Sequence, residues 1–316
     1  MTTKALTFAV GRRDAPAGSP RLRTVNGVAP PSIPMRALKG VVLLACCTVV
    51  VLPIVSVVST SLADQRQITT AGGFVLWPDN PSLNAYRAIF AGGVVTRALT
   101  VSLGITVVGA LLSLAVTAGL AYSLTRPRTF AHKPLLMMVL LTLLFSPGII
   151  PSYLTVRQLG LLDSYWSLIL PVLVNGFNVI VMRAFFMDLP QDLLDSARID
   201  GAGEFQTLTR IVLPLSKAVL AVVGLFYAVA YWNSFFSALL YINDTAKWPL
   251  QLVLRTYVVD NAVLSADQLN LVGEAPPPQQ SLQMAILVIS LVPILLVYPL
   301  LQRHFAKGLL IGAVKG

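Results

Sequence analysis

The chain has 316 residues, of which 56% are hydrophobic and only 11% are charged, and its formal net charge at pH 7 is +10. Soluble domains contain about 25% charged residues. The deficit leaves too little polar surface for a water-soluble protein, so the composition excludes that class and favours an integral membrane protein.

The first 37 residues are polar, basic and rich in Pro and Gly. Such a segment cannot bury enough apolar surface to fold alone, so we expect residues 1–37 to form a disordered cytoplasmic arm. The apolar run that follows, residues 38–62, is longer than the core of a signal peptide, which has about 7–15 residues. We therefore predict that it remains as the first span of a transmembrane domain over residues 38–316.

Six apolar stretches are long enough to cross the hydrocarbon core of a bilayer, which takes about 20 residues in a helix. They are residues 38–62, 98–124, 135–153, 165–182, 218–241 and 282–301. The predicted fold class is an all-α integral membrane protein with six transmembrane helices. Pro147, Gly148 and Pro151 should interrupt the third span, which is tolerated where protein or a water-filled cavity satisfies the freed backbone groups.

The distribution of basic residues predicts the orientation of these spans. With the N-terminus inside, only six of the 23 Lys and Arg residues fall in outside loops: Arg66, Arg87, Arg97, Arg157, Lys247 and Arg255. This bias follows the positive-inside rule and places both termini in the cytoplasm. Because topology in the lipid bilayer accounts for the basic balance, we expect no nucleic-acid partner.

The inside loop over residues 188–217 is amphipathic and of mixed charge. Its sequence is DLPQDLLDSARIDGAGEFQTLTRIVLPLSK. Gly201 and Gly203 interrupt a helical pattern of apolar residues, which predicts two short helices hinged at the glycine pair. Pro214 then marks the entry into the next membrane helix. From this pattern alone, a docking surface for a partner protein and an interfacial helix packed under its own bundle remain alternatives.

The same loop resembles the EAA loop of ATP-binding-cassette importer permeases, in which E-A-A is followed by two residues, D-G-A, eight residues and I-x-L-P. This chain has Asp195-Ser196-Ala197, Asp200-Gly201-Ala202 and Ile211-Val212-Leu213-Pro214 at the same intervals. Asp195 and Ser196 depart from the pattern but keep an acid followed by small residues. Residues 95–316 resemble the oligosaccharide-type, MalG-related permeases, and the segments YWNSFFSALLYI and PPPQQSLQMAILVISLVPILLVYPLLQRHFAKGLLIGAVKG are similar to the LplC/YtcP-type branch.

This resemblance implies a type I importer permease fold with a cytoplasmic coupling helix. It also implies a complex in a bacterial cell membrane, made with a second homologous permease as a heterodimer, two cytoplasmic ATP-binding subunits and an extracellular solute-binding protein. The implied substrate is a carbohydrate, either an oligosaccharide or a polysaccharide fragment, while a monosaccharide, a glycoside or another polar solute remains open.

The chain itself contains no G-x-x-x-x-G-K-[ST] phosphate loop. We therefore expect ATP and Mg in the partner ATPases and no cofactor, metal site or catalytic residue in this chain. The resemblance implies that Asp195, Asp200 and Glu204 make polar contacts with an ATPase and that Gly201 and Ala202 allow close backbone approach. The other residues of the expected coupling site are Ser196, Ala197, Ile211, Leu213 and Pro214.

Polar and aromatic residues at helical spacing on the later spans are candidates for a solute pathway, because amides and aromatic faces suit sugar rings. They are Asn175, Asn178, Tyr227, Tyr231, Trp232 and Asn233. The second span has a stripe of small residues instead, for which close helix packing is the expected role. That stripe consists of Ser102, Thr106, Gly109, Ser113 and Thr117.

The main alternative is an ion-coupled secondary transporter or a channel subunit. Ion-coupled carriers usually bind the coupling ion with an ionisable residue inside the membrane. The predicted spans contain none except Lys39, at the start of the first span, which favours energy supplied from outside the membrane. A membrane enzyme would need converging catalytic groups, whereas the two histidines, His132 and His304, are isolated in the sequence.

Overall fold

A computed structural model describes residues 33–127, 129–265, 267–269 and 276–313, and the regular structure in these residues is entirely helical. The predicted all-α class is confirmed. Residues 1–32 of the expected disordered arm lie outside the described residues, whereas residues 33–37 are helical rather than disordered. The chain divides into two units, Met1–Pro53 and Ile54–Gly316. Helix α1 (Ile33–Leu62) begins in the first unit and ends in the second.

The remaining helices lie in the second unit. They are α2 (Gln65–Thr70), α3 (Asn84–Gly92), α4 (Val94–Ser123), α5 (His132–Leu144), α6 (Ile149–Gln158), α7 (Trp166–Ile169), α8 (Gly176–Met187), α9 (Gln191–Ile199), α10 (Glu204–Thr207), α11 (Leu213–Leu215), α12 (Lys217–Trp232), α13 (Phe235–Tyr241), α14 (Leu250–Leu254) and α15 (Gln279–Ala313). Single turns of π-helix at Leu208–Val212 and Arg255–Val259 and of 3₁₀-helix at Leu170–Val172, Thr245–Lys247 and Asp267–Leu269 extend or connect them.

Within the described residues, three helices are long and apolar enough to cross a bilayer: α1, α4 and the Gln279–Val297 part of α15. Two bent pairs bring the number to five if each pair is one span. They are Trp166–Val172 with Gly176–Met187, bent by 52°, and Glu204–Leu215 with Lys217–Trp232, bent by 87°. The total of six spans stays a prediction.

The third predicted span, residues 135–153, is interrupted at the predicted place. Helix α5 has only 13 residues and ends at Leu144, and α6 begins at Ile149. Gly148 lies between them with φ +80°, a conformation that favours glycine. The Pro-Gly pair therefore ends one helix before the next begins.

Two further breaks fall inside predicted spans at places that were not predicted. The fourth predicted span, 165–182, leaves helical geometry at residues 173–175. Asn175 caps the helix that follows, because its side-chain oxygen accepts a hydrogen bond from the N–H of Asn178 at 3.2 Å. The fifth, 218–241, changes from α12 to α13 at Asn233 and Ser234.

The main apolar core forms where α4 and α8 pack against α12. The backbones of α4 and α12 approach closely, since a Cβ atom on Gly109 would lie 2.8 Å from the ring of Tyr231. Further along α4, Ser113 shares a 2.7 Å hydrogen bond with the Tyr231 hydroxyl, and Thr117 shares one with Tyr227 at 2.7 Å. The packing role predicted for the stripe of small residues is confirmed at these positions.

The loops meet in the two groups that the predicted topology requires. Predicted outside loops contact one another, since Ser281 Oγ donates to the carbonyl of Ala63 at 3.0 Å. Predicted inside loops do the same beyond the other end of α4, where Arg126 Nε lies 3.5 Å from the Glu204 carboxylate. This grouping supports the alternation of the spans, while the absolute orientation in the membrane stays a prediction.

Candidate coupling loop and solute pathway

The loop over residues 188–217 begins with two helices, α9 and α10, joined by a tight turn at residues 200–203. Gly201 has φ +77°, in the left-handed region where a Cβ atom is strained. Its N–H donates to the carbonyl of Arg198 at 3.0 Å, and the N–H of Ala202 donates to Ala197 at 2.9 Å. These are the two bonds of a Schellman motif, which closes the end of α9.

The two helices have one buried face and one exposed apolar face. Leu194 and Ala197 are buried against the rest of the protein. On the other face, Ile199 is 86% exposed and Phe205 is 79% exposed, with Leu193 at 47%. Large apolar side chains this exposed, beside a turn and outside the spans, mark an interaction surface. We call Leu193, Ile199 and Phe205 the apolar apex of the coupling loop.

The three acids expected to contact an ATPase differ in what they already bind. Asp195 is paired with Arg198 in the same helix at 3.2 Å. Glu204 accepts a hydrogen bond from the Tyr122 hydroxyl of α4 and lies 3.5 Å from Arg126 Nε. The Asp200 carboxylate makes no hydrogen bond or ion pair with the residues that the structure describes. Asp200 is therefore the acid that remains available to a partner.

The other motif residues support the loop from within. The Ser196 hydroxyl donates to a backbone carbonyl one turn earlier in α9, at 2.7 Å. Ile211 and Leu213 pack against the main core. Pro214 lies just before the 87° bend into α12, which begins at Lys217. The segment after α10 therefore connects the coupling loop directly to the next span.

Four of the six candidate pathway residues lie together. They line a depression of about 350 Å³ between the break in the fourth predicted span and α12. Its lining consists of Val172, Asn175, Phe177, Asn178, Phe226, Tyr227, Ala230 and Tyr231. The candidates Trp232 and Asn233 lie outside this lining, at and just beyond the end of α12. The Trp232 side chain belongs to a second apolar cluster. The Asn233 amide donates to the carbonyl of Val229 at 2.9 Å.

The tyrosine hydroxyls at this depression are already bonded inside the protein. Tyr227 accepts the N–H of Asn175 at 3.0 Å, and Tyr231 donates to the carbonyl of Ile169 at 3.2 Å. The side chain of Asn178 is only 4% exposed and makes no hydrogen bond with the described residues. The depression therefore offers aromatic rings and the amides of Asn175 and Asn178 to a solute rather than tyrosine hydroxyls.

The same depression contains an aromatic pair that the sequence does not reveal as part of a site. Phe177 and Phe226 have ring centroids 6.2 Å apart, and both side chains are exposed. Phenylalanine inside an apolar span gives no signal of a site, because the same residue also faces lipid. Only the break before α8 brings Phe177 beside α12.

At the other end of the spans, Asp163 joins two loops. Its carboxylate accepts the backbone N–H groups of Asn243 at 2.6 Å and Asp244 at 2.9 Å. Lys247 Nζ donates to the Asp163 carbonyl at 2.9 Å. The two backbone N–H bonds, which favour the ionised form, hold the pKa of Asp163 below its ordinary value. We call these four residues the Asp163 junction.

Comparison with known proteins agrees with this geometry. Residues 115–311 match the model of a family described as the inner membrane component of binding-protein-dependent transport systems. The chain belongs to this family, and is a transport permease subunit of an ATP-binding-cassette system rather than an enzyme.

Two curated relatives from Bacillus subtilis align over most of the chain. The polygalacturonan/rhamnogalacturonan transport system permease protein YtcP is 43% identical over 87% of this chain and 96% of its own. Protein LplC is 46% identical over 85% of this chain and 90% of its own. Among solved structures, a chain of a bacterial transporter involved in the import of the acidic polysaccharide alginate matches with a TM-score of 0.80 and 29% identity, covering 88% of this chain and all of that one.

Proposed function

We propose that this chain forms half of the membrane channel of a carbohydrate importer, as one partner of a heterodimer with a second, homologous permease. An extracellular solute-binding protein delivers the solute, and two cytoplasmic ATPases drive alternating access. The observation that supports this most strongly is the coupling loop. Its apolar apex stands exposed at the position of the EAA-loop motif, in a chain that belongs to the importer family.

The proposed ATPase contact follows from the shape of the loop. Ile199 and Phe205 flank the left-handed turn at Gly201. Because the glycine has no side chain, the apolar apex can enter a groove of an ATPase closely. Asp200 supplies an unpaired carboxylate at the same turn. Closure of the ATPases on nucleotide would move the loop, and the connection through Pro214 would tilt α12.

The proposed solute is an acidic oligosaccharide or polysaccharide fragment. Polygalacturonan, rhamnogalacturonan and alginate appear in the names of the matching proteins, and all three contain uronic acids. Within this chain, the Phe177–Phe226 pair and Asn178 suit a sugar, because aromatic faces stack on the ring and an amide bonds its hydroxyl groups. We propose Asn175, Asn178, Tyr227 and Tyr231 as the pathway residues of this subunit, with Trp232 and Asn233 outside its lining.

The proposed location is a bacterial inner membrane, with both termini and the coupling loop in the cytoplasm. The positive-inside bias supports this orientation. Addition of a membrane-impermeant thiol reagent to intact cells tests it, using Asn243→Cys in the Asp163 junction and Gln206→Cys in the coupling loop, with Cys46 and Cys47 replaced by Ala. Labelling of position 243 and protection of position 206 are expected. The reverse pattern would invert the topology.

Reconstituted transport tests the function itself. The complex of both permeases, the ATPases and the binding protein is placed in liposomes, and uptake of oligogalacturonate, rhamnogalacturonan fragments, alginate oligosaccharides and a neutral malto-oligosaccharide is measured. We expect ATP-dependent uptake of at least one acidic oligosaccharide and none of the neutral one. Uptake that follows an ion gradient without ATP would instead support the secondary-transporter alternative.

A further inference from the structure

A cluster of polar side chains joins the coupling loop to the end of α4. The Arg126 guanidinium donates to the Tyr122 hydroxyl at 2.8 Å, and its Nε lies 3.5 Å from the Glu204 carboxylate. The Tyr122 hydroxyl in turn donates to the same carboxylate oxygen. Glu204 therefore meets two groups from the end of α4, although Tyr122 and Glu204 are 82 residues apart in sequence.

Glu204 also belongs to the hinge of the coupling loop. It is the first residue of α10, and Arg198 from α9 approaches its other carboxylate oxygen at 3.9 Å while pairing with Asp195. The same carboxylate thus contacts α9 and the end of α4. Movement of the hinge cannot leave this contact unchanged.

The two sides of the contact are held very differently. The side chain of Arg126 is only 15% exposed, and its guanidinium lies 4.9 Å from the centre of the Tyr122 ring, an attractive cation–π arrangement. Arg126, three residues past the end of α4, is therefore held against Tyr122 of that helix by contacts that do not involve Glu204. The Glu204 side chain is 62% exposed and is held mainly by its polar partners. Because Arg126 is held at the end of α4 and Glu204 belongs to the coupling loop, their contact can pass a displacement of the loop to α4.

Covalent continuity explains how movement of the loop reaches α12, but it provides no direct path to α4. The loop continues into α12 through the bend at Ser216. Helix α4 ends at Ser123, before the loop between α4 and α5, and α5 to α8 lie between it and the coupling loop in sequence. Only noncovalent contacts connect the loop directly with the end of α4.

We propose that Arg126 and Tyr122 are positioning residues that clamp Glu204, so that the coupling loop and the end of α4 move as one body. This inference rests on the proposed function, because it assumes that ATPases move the loop. The clamp directs nucleotide-driven movement into α4 as well as α12. Helices α4 and α12 pack closely through Gly109 and Tyr231, so the two helices then move together.

Hydrogen exchange of the assembled complex in nanodiscs tests the clamp. The measured quantity is the change in exchange between the nucleotide-free state and the state trapped with ATP and vanadate, followed separately for residues 116–127 and 191–207. In the wild-type complex both segments should respond. In Arg126→Gln we expect an unchanged response at 191–207 and a response at 116–127 that is smaller by at least about threefold.

The matched control is Arg210→Gln. It removes the same charge from an exposed position in the same loop, where Arg210 has no ion pair with the described residues. We expect the wild-type response in both segments. Because the readout is a difference between two states of one protein, a general loss of stability at Arg126 would not by itself produce the expected pattern.

Tyr122→Phe provides a second variant if Arg126→Gln does not assemble. It deletes one hydroxyl and keeps the ring on which the guanidinium rests, so a reduced response at 116–127 with an intact response at 191–207 is again expected. A full response at 116–127 in assembled Arg126→Gln and Tyr122→Phe complexes would overturn the clamp. Failure of the wild-type permease to bind any ATPase would overturn the proposed function instead.

Discussion

Two helices of this protein end in the same way at opposite ends of the bundle. Gly160 after α6 and Gly201 after α9 both have positive φ, +66° and +77°, and their N–H groups donate three residues back at 3.0 Å. The following residues, Leu161 and Ala202, each donate five residues back, at 3.1 and 2.9 Å. Helices α6 and α9 therefore end in the same type of C-terminal turn.

The surroundings of the two turns differ. Three residues after Gly160, the Asp163 junction fixes a neighbouring loop through two backbone N–H groups and a lysine. Three residues after Gly201, Glu204 is held only by side chains, and the apolar apex is exposed. At the Asp163 junction, a carboxylate holds the neighbouring loop through hydrogen bonds from backbone N–H groups. At the other end, the coupling loop is held by side-chain contacts and exposes apolar surface that a partner can bind.

The largest expected effect is on the apolar apex. Phe205→Asp replaces a 79% exposed ring with a charge at the proposed ATPase contact. We expect ATPase association to weaken at least about tenfold, because buried aromatic residues dominate the energy of such interfaces. Binding of purified ATPase to the reconstituted permease pair, measured by fluorescence anisotropy, provides the value.

Phe74→Asp is the matched control for that substitution. Phe74 is also an exposed phenylalanine, at 64%, in a predicted outside loop. We expect ATPase affinity to remain at the wild-type value. Equal losses in the two variants would mean that the charge disturbs assembly generally and would remove the distinction between the two ends.

The next effect concerns the helix pair that connects the ends. Gly109→Val places a branched side chain where a single Cβ would already lie 2.8 Å from the Tyr231 ring. We expect the free energy of unfolding to fall by about 1–3 kcal/mol, as in other overpacked cores. Thermal unfolding in detergent should show a lower midpoint, while Gly104→Val, where nothing lies within 4 Å of the added Cβ, should unfold near the wild-type temperature.

A smaller effect separates the two turns themselves. Gly201→Ala and Gly160→Ala each force alanine into the left-handed region, at a cost of about 1–2 kcal/mol. Local hydrogen exchange should increase at both turns. Only Gly201→Ala should also weaken ATPase binding, by roughly fivefold if about 1 kcal/mol of the strain acts on the docked loop. Weaker binding in both variants would contradict the assignment of the docking end.

The smallest effect is expected at the Asp163 junction. Asp163→Asn removes the charge that accepts two backbone N–H groups. The folded pKa of Asp163 is lowered, so its contribution is complete above the unfolded carboxyl pKa of about 3.9 and is lost as pH falls through the folded value. The variant should melt slightly below wild type at pH 7, and the two midpoints should converge in acid below about pH 4.

Local patterns predicted the glycine hinge in residues 188–217 and the packing stripe. A glycine after a helical segment requires a left-handed turn, and small residues at helical spacing allow close approach, so both features can be inferred from neighbours in sequence. The break before Ile149 was predictable for the same reason, because Pro147 and Gly148 end a helix locally.

Features set by distant residues could not be predicted. The break at Asn175 occurs in an apolar run, and it is compensated by the hydroxyl of Tyr227, 52 residues further along the chain. The Glu204 contact with Arg126 and Tyr122 has no signature in either segment alone. Tyr227 and Tyr231 were predicted to face solute, but their hydroxyls are bonded within the protein, which only the folded arrangement reveals.

The most direct test of the permease assignment compares the two left-handed glycines. Gly201→Arg and Gly160→Arg introduce the same side chain, charge and backbone strain at exposed turns where nothing lies within 4 Å of the added Cβ. The measurement is the amount of ATPase that co-purifies in mild detergent with tagged complexes of equal permease content. The proposed function predicts that Gly201→Arg loses the ATPase and Gly160→Arg keeps it. Retention of the ATPase in both variants, or its absence from the wild-type complex, would contradict the docking of an ATPase at this loop.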